Sequence, residues 1–314
     1  MRNNSSLHSR PVTGDRSRIV VVGSLNMDLV MRTPRVPLAG ETLSGHQFST
    51  LSGGKGANQA VACARLGGEV TMIGRIGDDA FGQVLRDGLL ADGVDVSGVR
   101  TTQGVATGVA MILVEDNGQN RIVLAGGAND ALFSDDLDEF APVIEGARML
   151  VVQLETPLPG VVRAVEIAHA SGVKVLLNPA PVQSVPDELL AKVDILVPNE
   201  SEASLLAGFE VEGVSTAYAA ARLFRSRGVA SVLITLGERG VAIVDDAGER
   251  HLPAERVEAV DTTAAGDTFI GGVSVGLAEG MSLDDAVRLG QRASALGVTR
   301  HGAQPSIPYR RELG

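Results

Sequence analysis

The sequence predicts an α/β fold: a doubly wound, mainly parallel sheet with helices on both faces and a small β-sheet lid. Short apolar segments recur along the chain of 314 residues, and segments with helical periodicity separate them. Because the apolar segments are continuous rather than alternating with polar residues, we expect strands that are buried on both faces, as in parallel sheets. Two further segments lack this rhythm, and they predict the lid.

Six apolar segments have the length of buried strands. They are residues 19–22, 70–73, 149–153, 173–177, 195–198 and 232–235. Between them, apolar residues at helical spacing over residues 57–64 and 161–168 predict helices that end at Gly67 and Gly172. The alternation of the two patterns favours a mainly parallel sheet covered by helices on both faces.

Residues 29–52 and 106–126 interrupt this alternation. The first segment contains turn formers such as Pro34 and Gly40, and the second has the pattern of a hairpin around Asn117-Gly118. We expect both to form a small sheet inserted in one domain over residues 18–314. As a lid it could exclude water from an active site; a decorative edge sheet is the simpler alternative.

Composition excludes several classes of function. The net charge of −11 predicts that the protein repels nucleic acid and anionic membranes. No apolar run approaches the ~20 residues that span a bilayer, and residues 1–17 are a polar segment that we interpret as a disordered tail. The single cysteine, Cys63, cannot form an internal disulfide, which fits a cytoplasmic location.

The most informative segment is Asp261-Thr262-Thr263-Ala264-Ala265-Gly266-Asp267-Thr268. Small residues and a carboxylate stand where a strand over residues 257–260 should turn into a helix. We expect unpaired N–H groups from Ala264 to Asp267, which would form an anion hole for phosphate. Asp267 would then accept a proton from an attacking hydroxyl. The alternative is that Asp267 is only a favourable charge at a helix N-terminus.

The second strong feature is the glycine-rich segment Ser52-Gly53-Gly54-Lys55-Gly56-Ala57-Asn58. Its glycines let the backbone approach a ligand, while its lysine and asparagine offer a cation and an amide. The spacing matches neither the P-loop nor the dinucleotide fingerprint. After the first strand, Asn26 and Asp28 lie on the same side of an extended chain, so both could bond the hydroxyls of one polyol; turn formation is the alternative.

Two loops at predicted strand ends complete the set. Asn199 to Glu202 has the pattern of a capped helix start, and Thr235 to Gly240 follows another strand. Ligands gather at the carboxyl ends of parallel strands, so these loops should converge. A nucleophile-elbow pattern around Ser274 falls inside a predicted helix and is rejected. His46, His169 and His251 show no metal-ligand spacing, whereas the role of His301 stays open.

Taken together, these motifs resemble the ribokinase-like carbohydrate kinase family. The resemblance runs from about residue 18 to the C-terminus. It is carried by residues 23–28, 53–60, 178–181, 198–202, 234–240, 261–269 and 299–306. The family implies ATP-dependent transfer of the γ-phosphate to the 5-hydroxyl of D-ribose, with Asp267 as general base and the N–H groups of residues 264–266 as the anion hole.

The resemblance also assigns ligand contacts. The sugar-contacting positions are Asn26, Asp28, Gly54, Lys55, Gly56, Ala57, Asn58, Glu155 and Asp267. The nucleotide-contacting positions are Asn199, Thr235, Leu236, Gly237, Glu238, Arg239, Gly240, Gly266, Asp267 and Gln291. Glu202 would organise Mg²⁺ through water. A monovalent cation, potassium, would lie at Asp261, Thr263, Gly297, Arg300, Gly302 and Ser306. Gln291 and Thr263 depart from the residues expected at their positions.

The family further implies a homodimer in which the lids of two subunits clasp each other. Two alternatives to a kinase of ribose stay open at this point. One is a deoxyribokinase or another sugar or nucleoside kinase of the same family. The other is a sugar-binding regulator that has lost catalysis, against which the intact Asp267, Gly266 and Lys55 argue.

Overall fold

A computed structural model of the chain describes residues 18–314; the predicted tail, residues 1–17, lies outside the described residues. Residues 18–314 form thirteen strands and ten α-helices. The strands are β1 (Arg18–Val22), β2 (Asn26–Thr33), β3 (Gln47–Gly53), β4 (Glu69–Gly77), β5 (Asp95–Thr102), β6 (Gly108–Glu115), β7 (Asn120–Ala125), β8 (Met149–Val152), β9 (Lys174–Leu177), β10 (Ile195–Leu196), β11 (Ser231–Thr235), β12 (Val241–Asp245) and β13 (Gly248–Leu252).

The helices lie between these strands and after them. They are α1 (Lys55–Arg65), α2 (Ala80–Ala91), α3 (Ser134–Glu139), α4 (Ala141–Glu145), α5 (Leu158–Ala170), α6 (Asp187–Leu190), α7 (Glu200–Ala207), α8 (Val214–Ser226), α9 (Ala265–Ala278) and α10 (Leu283–Gly297). Short 3-10 turns occupy Gly127–Ala131, Gly237–Arg239, Gln304–Ser306 and Arg310–Glu312. None of the helices within residues 18–314 combines the length and the apolar character that crossing a bilayer requires.

The large sheet has nine strands in the order β13-β12-β11-β10-β9-β8-β1-β4-β5. All pairs from β11 through to β5 are parallel, and β12 and β13 extend one edge as antiparallel strands. The six predicted apolar strands all lie in this sheet, which confirms the mainly parallel arrangement. The antiparallel edge and β5 are additions that the apolar runs did not predict.

Strand β1 shows why the sheet is buried on both faces. Ile19 and Val21 pack in one core with apolar residues of α1 and α9. Val20 and Val22, which point to the opposite face, pack in a second core with residues of α5 and α8. Since successive side chains of a strand alternate between faces, a run of four apolar residues supplies both cores at once. The doubly wound prediction is confirmed.

The second sheet has four strands in the order β3-β2-β6-β7. It combines two antiparallel pairs with a central parallel pair, β2 and β6. Both segments that interrupted the sequence rhythm contribute to it, and the predicted hairpin turn lies between β6 and β7, with Gly118 at φ 86°. The small separate sheet is therefore confirmed. Strand β7 is exposed along its whole length.

One predicted strand is absent. Residues 257–260 have no regular secondary structure, and Val257 and Val260 are exposed. The strand before this segment, β13, already ends at Leu252. The N–H groups of Val260 and Asp261 instead both donate to the carbonyl of Val298, at 2.7 and 3.1 Å. Helix α9 is thus preceded by a loop tied to the end of α10, which the apolar character of residues 257–260 did not indicate.

Candidate active site

Helix α9 begins beside an unusual backbone conformation. Ala264 adopts φ 58° and ψ 13°, and among residues 18–314 it is the only non-glycine residue with positive φ. A left-handed alanine is strained and is tolerated where its surroundings enforce it, often at functional sites. Here it turns the incoming loop so that the first N–H groups of α9 point out of the helix end.

The predicted anion hole needs one correction. The N–H of Ala265 donates to the carbonyl of Thr262 at 3.2 Å, so this donor is not free. Within residues 18–314, the N–H groups of Ala264, Gly266 and Asp267 have no hydrogen-bond partner. Space is open beside Gly266, because a Cβ placed there would have no atom within 4 Å. The free donors and the open space are the features that a phosphate oxygen requires.

The carboxylate of Asp267 is buried, with 8% of the residue exposed. Its Oδ2 accepts a hydrogen bond of 3.0 Å from Nδ2 of Asn58, and its Oδ1 accepts one of 2.9 Å from Nε2 of Gln59. Both donors lie within the first five residues of α1, which packs against α9. The candidate base is therefore held at the junction of two helices that are distant in sequence.

A polar cluster lies next to this carboxylate. Oε2 of Glu155 accepts hydrogen bonds from Ser24 Oγ at 2.5 Å, from the Lys55 N–H at 3.1 Å and from Asn26 Nδ2 at 3.4 Å. This bonding gathers the predicted sugar contacts Asn26, Lys55 and Glu155 at one place. A polyol would meet hydroxyl-bonding groups of both kinds there, donors and acceptors.

Electrostatic coupling links the cluster to Asp267. Burial raises the pKa of Asp28 to about 7, and the negative charges of Glu155 and Asp267 add to this effect. Burial alone would lower the pKa of Lys55, but the carboxylates of Asp267 and Glu155 keep it above its usual value. Lys55 therefore stays a cation in the midst of these acids and can neutralise a bound anion.

The glycine-rich loop fits around these groups. Gly54 has φ 89°, and a Cβ on it would lie 2.6 Å from the backbone nitrogen of Asn26. A Cβ on Gly53 would collide with the carboxylate of Asp28. The N–H groups of Gly56 and Ala57 donate to Ser24, at 3.3 and 2.9 Å. These two residues are thus positioned to fasten the loop to the end of β1.

A cavity of about 220 Å³ opens in front of the helix start. It is lined by Lys55, Asn178, Val197, Asn199, Glu202, Thr235, Thr262, Ala264, Ala265, Gly266, Asp267, Phe269 and Ile270. The lining combines the candidate base and anion hole with the loops after β10 and β11. The convergence of these loops at the carboxyl ends of the strands is the arrangement expected of ligand sites in open parallel sheets.

Asn199 and Glu202 form a reciprocal cap of α7. The side chain of Asn199 accepts from the Glu202 N–H, and Oε2 of Glu202 accepts from the Asn199 N–H, both at 2.8 Å. Burial raises the pKa of Glu202, and the charge of Asp267 adds to this. Residues 18–314 contain no group of three acidic, histidine or cysteine side chains that could hold a metal. Mg²⁺ usually binds a protein through one or two carboxylates and takes its other ligands from phosphate and water, and the single carboxylate of Glu202 fits that pattern.

The other predicted nucleotide contacts are anchored by one backbone pairing and by side-chain bonds. Asn199 and Thr235 form a parallel bridge, which places the two loops side by side. In the 3-10 turn Gly237–Arg239, Arg239 forms an ion pair with Glu200. Nε2 of Gln291 donates to the carbonyls of Leu252 and Pro253, at 3.0 and 3.2 Å. Among residues 235–240, Thr235 lines the cavity and the other five do not. Gln291 does not line it either.

The predicted monovalent-cation residues occupy two adjoining loops. Oδ1 of Asp261 accepts from the N–H and the hydroxyl of Thr263, and its Oδ2 accepts from the Gly302 N–H at 2.9 Å. Burial alone would raise the pKa of Asp261, but these hydrogen bonds lower it overall. The carbonyl oxygen of Ser306 lies 3.7 Å from the point that a Cβ on Gly297 would occupy. Oδ2 of Asp261 accepts only this one bond and keeps a lone pair for an ion, and backbone carbonyls of the two loops would have to supply the other ligands.

Sequence reasoning missed three buried amides behind Asp267: Gln59, Gln153 and Asn178. Nε2 of Gln59 also donates to Asn178 Oδ1 at 3.3 Å, and its Oε1 accepts from Gln153 Nε2 at 2.6 Å. Their positions in the sequence could have indicated these residues, since Gln59 follows the glycine-rich loop and the other two directly follow β8 and β9. Ser274 lies inside α9, as expected of the rejected nucleophile elbow, and Cys63 is buried in α1.

The chain matches a known protein family along almost its whole length. Residues 16–310 match the model of the pfkB family carbohydrate kinases, and the chain belongs to this family. It is 45% identical to a ribokinase of Haemophilus influenzae over 95% of this chain and 97% of that protein. It is also 38% identical to a deoxyribokinase of Salmonella typhi, over 92% and 95% of the two chains.

A solved structure gives the same result. The ribokinase of Arabidopsis thaliana, whose structure contains ribose and ATP, superimposes with a TM-score of 0.90 at 34% identity. The match covers 95% of this chain and 97% of that chain. The resemblance read from the motifs is confirmed.

Proposed function

We propose that this chain is a ribokinase, an enzyme that transfers the γ-phosphate of ATP to the 5-hydroxyl of D-ribose and releases ribose 5-phosphate and ADP. The observation that carries the proposal is the position of Asp267. Its buried carboxylate lies beside the free N–H groups of Gly266 and Asp267 itself, between the polar cluster around Glu155 and the cavity. A base and an anion hole are thus adjacent at one helix start.

The chemistry follows from this geometry. A sugar held by Asn26, Asp28, Lys55 and Glu155 would direct its 5-hydroxyl at Asp267. The hydroxyl oxygen forms a bond to the γ-phosphorus, its proton passes to the Asp267 carboxylate, and the bond from phosphorus to the oxygen bridging to the β-phosphate breaks. An aspartate is a far weaker base than an alkoxide, so the proton moves late, once the new O–P bond has developed.

The N–H groups at the start of α9 stabilise the charge that spreads over the transferred phosphoryl group, and Lys55 adds a fixed cation near it. When bound, Mg²⁺ neutralises phosphate charge, and Glu202 would hold it through water. We also propose that ATP lies along Asn199 and residues 235–240, and that a potassium ion occupies the loops of Asp261 and Ser306.

Deoxyribokinase is the second candidate, because the chain is also 38% identical to such an enzyme. Asn26, Asp28 and Glu155 favour a sugar that carries all its hydroxyls. A site built to bond a hydroxyl rejects an analogue without it by ~10⁴ or more, since the bonding groups are left unpaired. Turnover of ribose and 2-deoxyribose at equal concentration separates the two candidates.

The decisive experiment is a pentose panel with ATP in a coupled assay of ADP release. We expect ribose-dependent ADP formation, with 5-phosphorylated product identified by NMR. A sugar-binding regulator without catalysis would bind ribose in calorimetry and release no ADP. ADP formation that does not depend on sugar would contradict the proposal.

Exposed apolar residues on the small sheet support a homodimer through the lids. Val123 of β7 is 68% exposed and Met111 of β6 is 59% exposed. Apolar side chains grouped on one small sheet are a usual mark of a protein interface. The sheet then serves as a lid over the sugar, and the single buried cysteine supports a cytoplasmic enzyme.

A further inference from the structure

Both the nitrogen and the oxygen of the buried Gln59 amide have hydrogen-bond partners within the protein. Its Nε2 donates to Asp267 Oδ1 at 2.9 Å and to Asn178 Oδ1 at 3.3 Å, and its Oε1 accepts from Gln153 Nε2 at 2.6 Å. Asn178 is anchored in turn, since its Nδ2 donates to the carbonyl of Val197 at 3.0 Å. The side chain of Gln59 has no exposed surface.

This bonding allows one orientation of the amide. Rotation by half a turn would place Oε1 of Gln59 against the carboxylate of Asp267 and its Nε2 against the Nε2 of Gln153. Both contacts would be repulsive, and unpaired buried polar groups are costly. Gln153 is itself confined, because a Cβ on Gly23 would collide with its Oε1. The orientation of Gln59 is therefore set by α1 together with the ends of β8 and β9.

The neighbouring amide, that of Asn58, keeps one polar atom without a hydrogen-bond partner among residues 18–314. Asn58 donates to Oδ2 of Asp267, but its own Oδ1 is buried and has no partner in the described part of the chain. A sugar hydroxyl can therefore engage Asn58, whereas both N–H groups of Gln59 are bonded within the protein and its side chain is fully buried. The two oxygens of Asp267 are thus unequal: Oδ1 faces an internal anchor and Oδ2 faces a group that substrate can reach.

We propose that Gln59 is a positioning residue, which fixes Oδ1 of Asp267 and so presents Oδ2 as the oxygen that takes the proton of the sugar hydroxyl. The inference rests on the proposed kinase function. The charged groups that face Asp267 from the packed elements are Lys55, Asp28 and Glu202. Within residues 18–314 none of the three bonds the carboxylate directly, so the amides alone orient it.

The test replaces the amide by a side chain of similar size, Gln59→Met. We expect kcat to fall about tenfold to a hundredfold, because a misplaced base loses its near-attack geometry, while the ribose KM changes by less than about threefold. Cys63→Ala is the matched control, since it changes the same α1–α9 contact without touching Asp267. A kcat loss no greater than in this control, or equal losses in kcat and ribose binding, would overturn the inference.

Two further measurements keep the test decisive. Gln153→Met leaves Gln59 in place but removes the donor to Gln59 Oε1. We expect the same selective loss of kcat to a smaller extent. An unchanged kcat would count against the inference. A crystal structure of ligand-free Gln59→Met shows the Asp267 carboxylate without any turnover. Once residue 59 no longer donates to Oδ1, we expect the carboxylate to rotate away from the orientation in which Oδ2 accepts from Asn58. An unmoved carboxylate overturns the positioning role even if the proposed activity itself proves wrong.

Discussion

Asn58 donates a hydrogen bond of 3.0 Å to Oδ2 of Asp267 across 209 residues of sequence. The bond joins the glycine-rich loop and α1 to the start of α9, so the group that would bind sugar touches the group that would deprotonate it. Sugar binding and base orientation are thereby coupled through one contact.

Asp267→Asn should retain the fold and ribose binding but lower kcat by ~10² or more, the usual size of a general-base contribution. The amide has nearly the shape of the carboxylate and cannot accept the proton. Coupled ADP assays measure kcat, and calorimetry with ribose checks that the site is intact. A variant with near-normal kcat would show that another group is the base.

Gly266→Ala should leave the thermal unfolding temperature almost unchanged, because the added methyl group meets no atom within 4 Å. The same methyl group would occupy the space in front of the free N–H groups, so we expect kcat/KM for ATP to fall about tenfold or more. Gly88→Ala on α2 is the control, because its added methyl group would make an ordinary contact of 3.9 Å with Ser52 Oγ and Gly88 does not line the cavity. Equal activity of both variants would argue against an anion hole at this helix start.

Asp28 should make stability depend on pH. Its pKa is about 7 in the folded protein against 3.8 as its ordinary value, so the folded state binds this proton more tightly than the unfolded chain. The stabilising contribution of Asp28 is therefore complete below about pH 4 and is lost as the pH rises through about 7. Asp28→Asn, which stays neutral, should gain stability relative to the unaltered protein over this range.

Urea unfolding at several pH values measures the effect. Asp246→Asn serves as the control, because the side chain of Asp246 is 95% exposed and its variant should follow the unaltered protein. A difference between Asp28→Asn and the unaltered protein that stays constant from pH 4 to pH 8 would mean that Asp28 is not held neutral by its surroundings.

Val123→Asp on β7 should convert the proposed dimer to monomer, because a charge buried in an apolar interface is costly. Val84→Asp on α2 is matched in residue type and is 52% exposed, but it lies outside the small sheet. Sedimentation velocity gives the oligomeric state of both. Dimers that persist in the β7 variant, or monomers in the unaltered protein, would exclude association through the lid.

Local sequence was informative where the chemistry is local. The apolar runs of β1, β8 and β11 predicted the parallel sheet, and the small residues before Asp267 predicted a helix start with free donors. The cap formed by Asn199 and Glu202 was readable for the same reason, since its two partners are three residues apart. In each case the interacting groups are neighbours in the chain.

The prediction failed where the partner was remote. The segment 257–260 has strand-like composition, but its last N–H group bonds the carbonyl of Val298 at the end of α10 instead of a sheet. A second failure is local: the N–H of Ala265 was expected to be free but donates to the carbonyl of Thr262, three residues earlier, where the left-handed Ala264 turns the backbone. Neither contact leaves a periodic signal in the sequence.

The sequence alone determined the fold class, the family resemblance and the residue types that could carry a phosphate transfer, because periodicity and short motifs encode them within a few positions. Only the tertiary structure decided which oxygen of Asp267 meets Asn58 and which meets Gln59, and that three buried amides stand behind the base. The physical reason is that these bonds depend on how α1 packs against α9 and on where β8 and β9 end, and such contacts exist only once the sheet has brought distant segments together.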